Sequence, residues 1–541
     1  RPLIRSQVDE RDMATTREML ALESKLIDFA RTGRGRCRPL ASPERPVKRT
    51  WLNEKQQAAV RHVLSSRDRV MIIRGVAGTG KTTLEQEIGE ALAEAGKPVV
   101  AIAQSVKASR EVLRQEAGFA SADTVARFLK DTDMQQSAKD GVILVDEASQ
   151  LGTRDMHAVF TVADAINARV ILVGDRRQHK SVTAGEPLKL LQDDAGLKVA
   201  EVTDILRQAG DYKKVAGALS EGRVGDAFEE LDKLGWIRQV AGSERYKLLA
   251  GAYLAATEER SRDGKPKTAL VVSPTHAEAA RVTDAIRTVR KAAGELPGER
   301  IITSYVAAHL TDAQKADATE YEPGNLIQFH QNAKGYKKGS RLVVSDDIPP
   351  PVDLASRFEV YRSRPLALAP GDRIRVTAGG TTRDGKHRLS NGSLFTVEGF
   401  TAEGHIKVNG GWVIDREFGH LAHGYVTTSH ASQGMTLNKV FVAIDSESMK
   451  ATDQRTAYVA ITRGKEQAMV FTDDHLELLK AASRGDKALT ATELVEASAP
   501  EKPSPAKVFA NRRRGLRPQD LNPVQHMHDT TSRSQEPDHA R

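Results

Sequence analysis

Val70-Met71-Ile72-Ile73-Arg74-Gly75-Val76-Ala77-Gly78-Thr79-Gly80-Lys81-Thr82 decides the fold of this chain. Gly75 to Thr82 fits the P-loop pattern G-x-x-x-x-G-K-[ST]. An apolar, strand-like run leads into it and a helix-forming run, Leu84 to Ala95, follows, which is the context the pattern requires. Three glycines let the backbone curl until successive N–H groups point at phosphate oxygens, and the next helix N-terminus adds its dipole. Lys81 reaches the β- and γ-phosphates, and the Thr82 hydroxyl is placed to ligate Mg²⁺. The expected nucleotide-binding set is Gly75, Ala77, Gly78, Thr79, Gly80, Lys81, Thr82 and Thr83.

Two further strands deliver polar groups. Val142 to Ser149 (VILVDEAS) is a buried-type strand that releases Asp146 and Glu147 at its carboxyl end. It lies about 65 residues beyond the P-loop, where a P-loop ATPase uses the aspartate to hold Mg²⁺ and the glutamate to polarise water. Val170 to Gln178 (VILVGDRRQ) releases Asp175 and Gln178. A glutamine there senses a γ-phosphate by hydrogen bonding without adding charge.

Strands alternating with helical stretches over 51–210 predict a parallel sheet covered on both faces, and a second such block begins at Leu270–Val272 and resumes at Val440–Ile444 and Met469–Phe471. The stretch 211–265 reads as a helical connector. Between 301 and 425 the pattern changes. Gly371-Asp372, Gly379-Gly380, Asp384-Gly385, Asn391-Gly392 and Asn409-Gly410 punctuate short alternating strands such as Arg373–Thr377 and Ser393–Glu398, which predicts a small β-barrel inserted into the second block, 266–300 and 426–480. Residues 9–31 read as a charged amphipathic helix, Thr32 to Thr50 as a solvated Arg/Pro/Gly linker, and 481–541 as a largely disordered tail with a solvated Arg512-Arg513-Arg514 cluster.

The chain has 541 residues, room for several domains, and a net charge of +8, which suits a polyanionic partner. No apolar run approaches the length of a membrane span, so no membrane insertion is expected. Its one cysteine, Cys37, excludes an internal disulfide framework and points to a cytosolic setting. The chain opens on Arg1 rather than Met and is expected to be part of a longer protein, or processed.

Taken in order, these motifs resemble the superfamily 1 helicases, and the resemblance covers residues 51 to 475. It implies an α/β fold of two RecA-like P-loop domains with a helical segment and an inserted SH3-like β-barrel subdomain. Leu52 to Gln56 is similar to the family's glutamine motif, with Gln56 reading the adenine edge. Ile102 to Arg110 stands where a DNA-contacting motif is expected, with Ser105 on the DNA backbone and Ala103 in place of the usual proline. Ala122 to Leu129 resembles the next such motif, through Thr124 and Arg127. Ile205-Leu206-Arg207-Gln208 directs Arg207 at the γ-phosphate, and Tyr458 to Arg463 offers Arg463 as the arginine finger. Thr428 to Gly434 implies DNA contacts through Thr428, His430 and Ser432, with His430 as a satisfied structural histidine in the alternative. Thr436 stands where many relatives carry a ribose-contacting glutamate.

The motif order resembles the RecD-like branch, whose members move 5′ to 3′ on single strands. Thr15 to Leu20 with Glu23, before an Arg/Gly linker, is similar to the join in MobF-type conjugative relaxases. The resemblance implies ATP and Mg²⁺ as cofactors and single-stranded DNA as partner. It also implies a nicking domain preceding this chain, contact with conjugative transfer machinery, and the bacterial cytoplasm as location. The catalytic set is then Lys81, Glu147, Gln178, Arg207 and Arg463, with Thr82 and Asp146 on the metal. A catalytically weak DNA-binding or scaffold module is the alternative from another class. Aromatics are 5% of the chain, so no extended base-stacking platform is expected, and Trp236, Tyr336, Tyr361 and Trp412 are expected chiefly to pack.

Overall fold

A computed structural model describes residues 3–8, 11–42, 44–485 and 489–498. Two compact units are present, one made of the N-terminal hairpin and the C-terminal residues from Ala491, the other of Glu18–Thr490.

In the larger unit the first lobe is a six-stranded parallel sheet. Its order is Asp123–Thr124, Val99–Ala103, Val142–Asp146, Arg169–Gly174, Val70–Gly75 and Val199–Val202. Successive side chains on a strand point to opposite faces. Val70, Ile72, Ile143, Val145, Val170 and Leu172 therefore pack with the helices Arg17–Thr32 and Thr153–Ala165. Met71, Ile73, Leu144, Ile171 and Val173 pack with Glu54–Ser65 and Lys81–Glu94 on the other side. Burial on both faces is why these strands read as continuous apolar runs.

The second lobe is a five-stranded parallel sheet in the order Val426–Thr427, Ala269–Val272, Leu437–Ala443, Gly464–Thr472 and Ile237–Gln239. Leu270, Val272, Val440 and Val442 share one core with the helices Gly210–Glu221 and Gln454–Ile461. Val271 and Phe441 share the opposite one with Glu244–Glu258 and His276–Ala292. The stretch 211–265 is thus not helical throughout, since Ile237–Gln239 supplies the edge strand of this sheet.

The insertion leaves the second lobe after Ala292 and returns before Val426. It holds a four-stranded antiparallel sheet, ordered Arg300–Ala307, Phe358–Leu368, Leu326–Phe329 and Arg341–Val343. It also holds a five-stranded antiparallel sheet, ordered Trp412–Ile414, Ile406–Val408, Leu394–Phe400, Arg373–Val376 and Leu421–His423. The strand Phe358–Leu368 gives a poor sequence signal because it contains Pro365. That proline is tolerated because only Phe358–Tyr361 of this strand pairs on its second side.

Two readings of the N-terminal region are corrected. Residues 9–31 are not one helix: Arg11–Thr16 pairs antiparallel with Leu3–Val8, and the helix begins at Arg17. Arg11 and Asp12 stay exposed while Met13, Thr15 and Thr16 are half-buried in the ribbon, and the helix that follows buries Glu23, Leu26, Ile27 and Ala30. The stretch 32–50 is not a solvated tether. The Cys37 and Leu40 N–H groups donate to the Arg67 and Leu64 carbonyls, both at 2.8 Å. Arg45 and Arg49 reach the buried Glu87 carboxylate at 2.9 and 2.8 Å. Burial alone would push the Glu87 carboxyl up, but hydrogen bonds from Arg45, the Lys48 N–H and Arg49 outweigh it and hold the group at about 2. Within the tail, Ala491–Ser498 is a helix packed on the N-terminal hairpin. Arg512, Arg513 and Arg514 lie outside the described residues.

Candidate nucleotide site between the lobes

The P-loop connects Val70–Gly75 to the helix that starts at Lys81. Gly78 and Gly80 sit at φ +81° and +73°, a left-handed conformation that costs glycine nothing. A Cβ on Gly78 would lie 2.7 Å from Arg207 Cβ, so the loop also needs glycine for close approach. The Leu206 and Arg207 N–H groups both donate to the Gly78 carbonyl, at 2.8 and 3.1 Å, which fixes Arg207 beside the loop. Lys81 Nζ donates to the Gly75 carbonyl at 3.2 Å and stands 3.9 Å from Glu147 Oε1. Gln56 is buried. Its Oε1 accepts the Asn53 N–H and its Nε2 donates to the Thr79 carbonyl, both at 2.9 Å, so its amide braces the loop from behind.

Asp146 and Glu147 emerge at the carboxyl end of their strand and are nearly buried. Asp146 Oδ1 accepts the Glu147 N–H at 2.7 Å. Burial and the neighbouring Glu147 charge push the Asp146 carboxyl up to about 6. Glu85, one turn along the P-loop helix and fully buried, is raised well above the carboxylate range by burial and then by Asp146. Glu147 itself adopts φ +48° and ψ +43°, rare for a residue with a side chain.

From the second lobe, the helix Gln454–Ile461 ends just before Arg463. Arg463 is 2% exposed, with Nε donating to the Val459 carbonyl at 2.8 Å. Arg207 Nη1 donates to the Thr462 carbonyl at 2.9 Å, and burial followed by the Arg463 charge pushes its guanidinium down to about 9. Tyr458, on the same helix, accepts the Ala77 N–H and donates to Asp175 Oδ2, each at 3.0 Å. Gln178 is buried, and its Nε2 has no hydrogen-bond partner among the described residues.

These groups enclose a cavity of about 380 Å³. Ala77 to Thr82, Ser105, Asp146, Glu147, Gln178 and Arg207 line it from the first lobe, and Gln433 to Thr436 with Arg463 from the second. Gly75, Gln56 and Thr83 lie outside the lining. Lys107, Glu111 and Glu116 also line it, from a helix, Lys107–Glu116, wound with i→i+5 hydrogen bonds. Sequence reasoning missed these three and Gln433. The motif spanning Gln433 was the available signal for that residue, whereas the rare winding at Lys107–Glu116 leaves no sequence trace.

The residues assigned to DNA fall in different settings. Ser105 opens onto the nucleotide cavity, and its hydroxyl accepts the Ala108 N–H at 3.1 Å. Thr124 and Thr428 cap short helices by accepting the Arg127 and Ala431 N–H groups. Arg127 is exposed and pairs with Asp131 at 2.6 Å. His430 stacks on His179 across the lobes with ring centroids 3.6 Å apart, and burial lowers the pKa of both. Ser432 departs from the surface role: it is fully buried, and its hydroxyl donates to the Ser429 carbonyl at 2.7 Å. The four candidate aromatics all meet other rings. Trp236 meets Tyr212, Tyr336 stacks on Phe329, Tyr361 meets His420, and Trp412 stacks on His387.

Among the described residues no helix is long and apolar enough to cross a membrane. A family model described as an AAA domain matches residues 51–242, and one described as a viral superfamily 1 RNA helicase core domain matches residues 391–472. The multifunctional conjugation protein TraI of Escherichia coli K12 is 23% identical over 488 residues, covering 78% of this chain and 27% of TraI. The probable conjugal transfer protein TraA of Sinorhizobium fredii is 27% identical over 466 residues, covering 84% of this chain and 36% of TraA. The RecBCD enzyme subunit RecD of Mycobacterium tuberculosis is 26% identical over 470 residues, covering 80% of this chain and 71% of RecD. The chain thus spans about a third of the length of its conjugation relatives. With its two parallel-sheet lobes and P-loop, this chain is similar to RecD helicase subunits and to the conjugation proteins TraI and TraA, which supports a RecD-like superfamily 1 helicase related to the relaxases.

Proposed function

We propose that this chain is an ATP-dependent, 5′-to-3′ translocase and helicase on single-stranded DNA, the motor part of a conjugative relaxase in the bacterial cytoplasm. The observation that carries the reading is the convergence of Lys81, Arg207 and Arg463 from two lobes on one cavity. Neither arginine has a carboxylate within ion-pair distance among the described residues, so both guanidinium groups are left to pair with a triphosphate. Lys81 turns from the Gly75 carbonyl to the phosphates. Water attacks the γ-phosphorus, the bond to the ADP oxygen breaks, and Glu147 accepts the water's proton. Arg207 and Arg463 stabilise the charge on the transferring group, and Gln178 hydrogen-bonds it.

Among the described residues no cluster of three or more His, Cys, Asp or Glu is arranged to hold a metal ion. Mg²⁺ characteristically takes only one or two protein groups plus phosphates and waters. Thr82 and Asp146 supply that set, and a cation beside Asp146 would offset the burial and the neighbouring Glu147 charge that raise its carboxyl. When bound, the ion neutralises phosphate charge.

Thr124, Arg127, Thr428 and the open face of His430 suit contacts to a DNA backbone, which are independent of sequence. The family resemblance supports reading the five-stranded sheet of 301–425 as an SH3-like barrel, and it supports a nicking domain ahead of this chain in the intact protein, with transfer machinery as a partner. Phosphate release and strand separation on tailed duplexes test the proposal. Hydrolysis stimulated by single-stranded DNA and unwinding only from a 5′ tail are expected, whereas unwinding only from a 3′ tail overturns the polarity. The match of 391–472 to a viral RNA helicase core favours a second reading, and stronger stimulation by RNA than by DNA would select it. Failure of the pure protein to hydrolyse ATP would select the scaffold alternative.

A further inference from the structure

Gln433 follows the short helix Ser429–Ser432 of the second lobe, ahead of a left-handed turn at Gly434. Its side chain crosses the cleft, and Nε2 donates to Glu147 Oε2 at 3.1 Å. The other carboxylate oxygen, Oε1, faces Lys81 Nζ at 3.9 Å. Each oxygen of Glu147 is therefore addressed from a different lobe.

The backbone at Glu147 strengthens the point. A left-handed residue with a side chain is strained and persists only where its surroundings determine it. Here the Asp146 carboxylate holds the Glu147 N–H, and Glu147 is 8% exposed. The strained turn aims the side chain into the cleft, but it does not fix the rotation of the carboxylate about its last bond. The Gln433 amide does. It is a neutral donor, so it orients the group with less loss of basicity than a cation would cause.

We propose that Gln433 is a positioning residue for hydrolysis. It holds Oε2 of Glu147, so that Oε1 faces the attacking water once Lys81 has moved to the triphosphate. Because the amide comes from the second lobe, the proton acceptor is oriented only when the cleft is closed. Closure then acts on the water side of the reaction through Gln433 and on the phosphate side through Arg463. The inference rests on Glu147 being the residue that polarises water.

The test is single-turnover and steady-state phosphate release by the full chain, stimulated by single-stranded DNA, for wild type, Gln433→Ala, Gln433→Glu, Glu147→Gln and the Gln433→Ala/Glu147→Gln double variant. Misplacing a reacting group by about 1 Å costs about 100-fold, so Gln433→Ala is expected to lower kcat by about that factor. KM for ATP and the Kd for DNA without nucleotide should each stay within about threefold, since the Gln433 amide acts through Glu147 rather than on either ligand. Gln433→Glu keeps the length but replaces the donor with a like charge, and should lose more than Gln433→Ala. In the Glu147→Gln background, Gln433→Ala should add less than about threefold, because two residues acting through one step are not additive. Full additivity, retained activity in Gln433→Glu, or a weakened DNA Kd at unchanged kcat each overturns the role. Wild type that hydrolyses normally beside additive variants leaves the functional reading intact, whereas wild type with no hydrolysis overturns both.

Discussion

Arg463 is where catalysis and stability part company. Its buried guanidinium donates to the Val459 carbonyl and the Thr462 hydroxyl, and faces Glu147 only at a distance. An unpaired buried cation does not stabilise a fold, and replacing one with an apolar group is commonly neutral or favourable. Arg463→Met is therefore expected to leave the melting temperature unchanged or raised while lowering kcat by about 10³-fold or more, the scale of an arginine finger. Differential scanning fluorimetry and phosphate release check the two halves together. Gly78 gives a second expectation. Alanine there strains the backbone at φ +81° and drives its Cβ into Arg207. Gly78→Ala should raise KM for ATP and lower kcat together, because loop and arginine shift as one, and an effect on kcat alone would contradict the packing.

At the scale of elements, the strap over 32–50 is a structural part of the first lobe, held through Glu87 on the P-loop helix. The Glu87 carboxyl is depressed from 4.5 to about 2 by those bonds. A depressed carboxyl contributes stability that is fully present above about pH 4.5 and is lost as pH falls toward 2. Glu87→Gln should lower stability near pH 7 by about 2–3 kcal/mol, and the difference from wild type should shrink in acid, as urea titrations at several pH values would show. The helix carrying Tyr458 allows a parallel argument. Tyr458→Phe keeps the ring but strands the Ala77 N–H and one Asp175 oxygen, at a cost of about 1–3 kcal/mol. The same change should lower the response of hydrolysis to DNA, because it loosens the helix that ends at the arginine.

At the scale of the molecule, the insertion is joined to the second lobe by a compact anchor. Arg287 pairs with Asp372 at 3.0 Å and with Glu299 at 2.6 Å, and the Tyr425 hydroxyl donates to Asp372 at 2.8 Å. Outgoing and returning chains cross beside one another, since Ser304 Oγ donates to the Leu421 carbonyl at 2.7 Å. Replacing residues 301–422 by a short flexible link should leave both lobes folded and the nucleotide site complete. Hydrolysis is then expected to survive within about tenfold while strand separation falls further. Loss of the folded lobes in circular dichroism would show that the insertion is part of their core.

The two-lobed architecture and most of the nucleotide site were legible in the sequence. Strands buried on both faces leave apolar runs, and phosphate chemistry demands glycines, a lysine, a hydroxyl and two acids at fixed spacing. Gly75 to Thr82, Asp146 and Glu147 carry that information locally. Local signals do not say which polar groups meet from opposite ends of the chain. Only the tertiary structure placed Gln433 on Glu147, Tyr458 between Ala77 and Asp175, His430 on His179, and Ser105 in the nucleotide cavity. It also turned the 32–50 stretch from tether to strap, because arginines that look solvated in sequence find a buried glutamate about 40 residues away. The sequence by itself determined that a phosphate cradle sits on a doubly covered parallel sheet. The folded chain decided what closes over that cradle, because closure is set by contacts between residues that no local pattern joins.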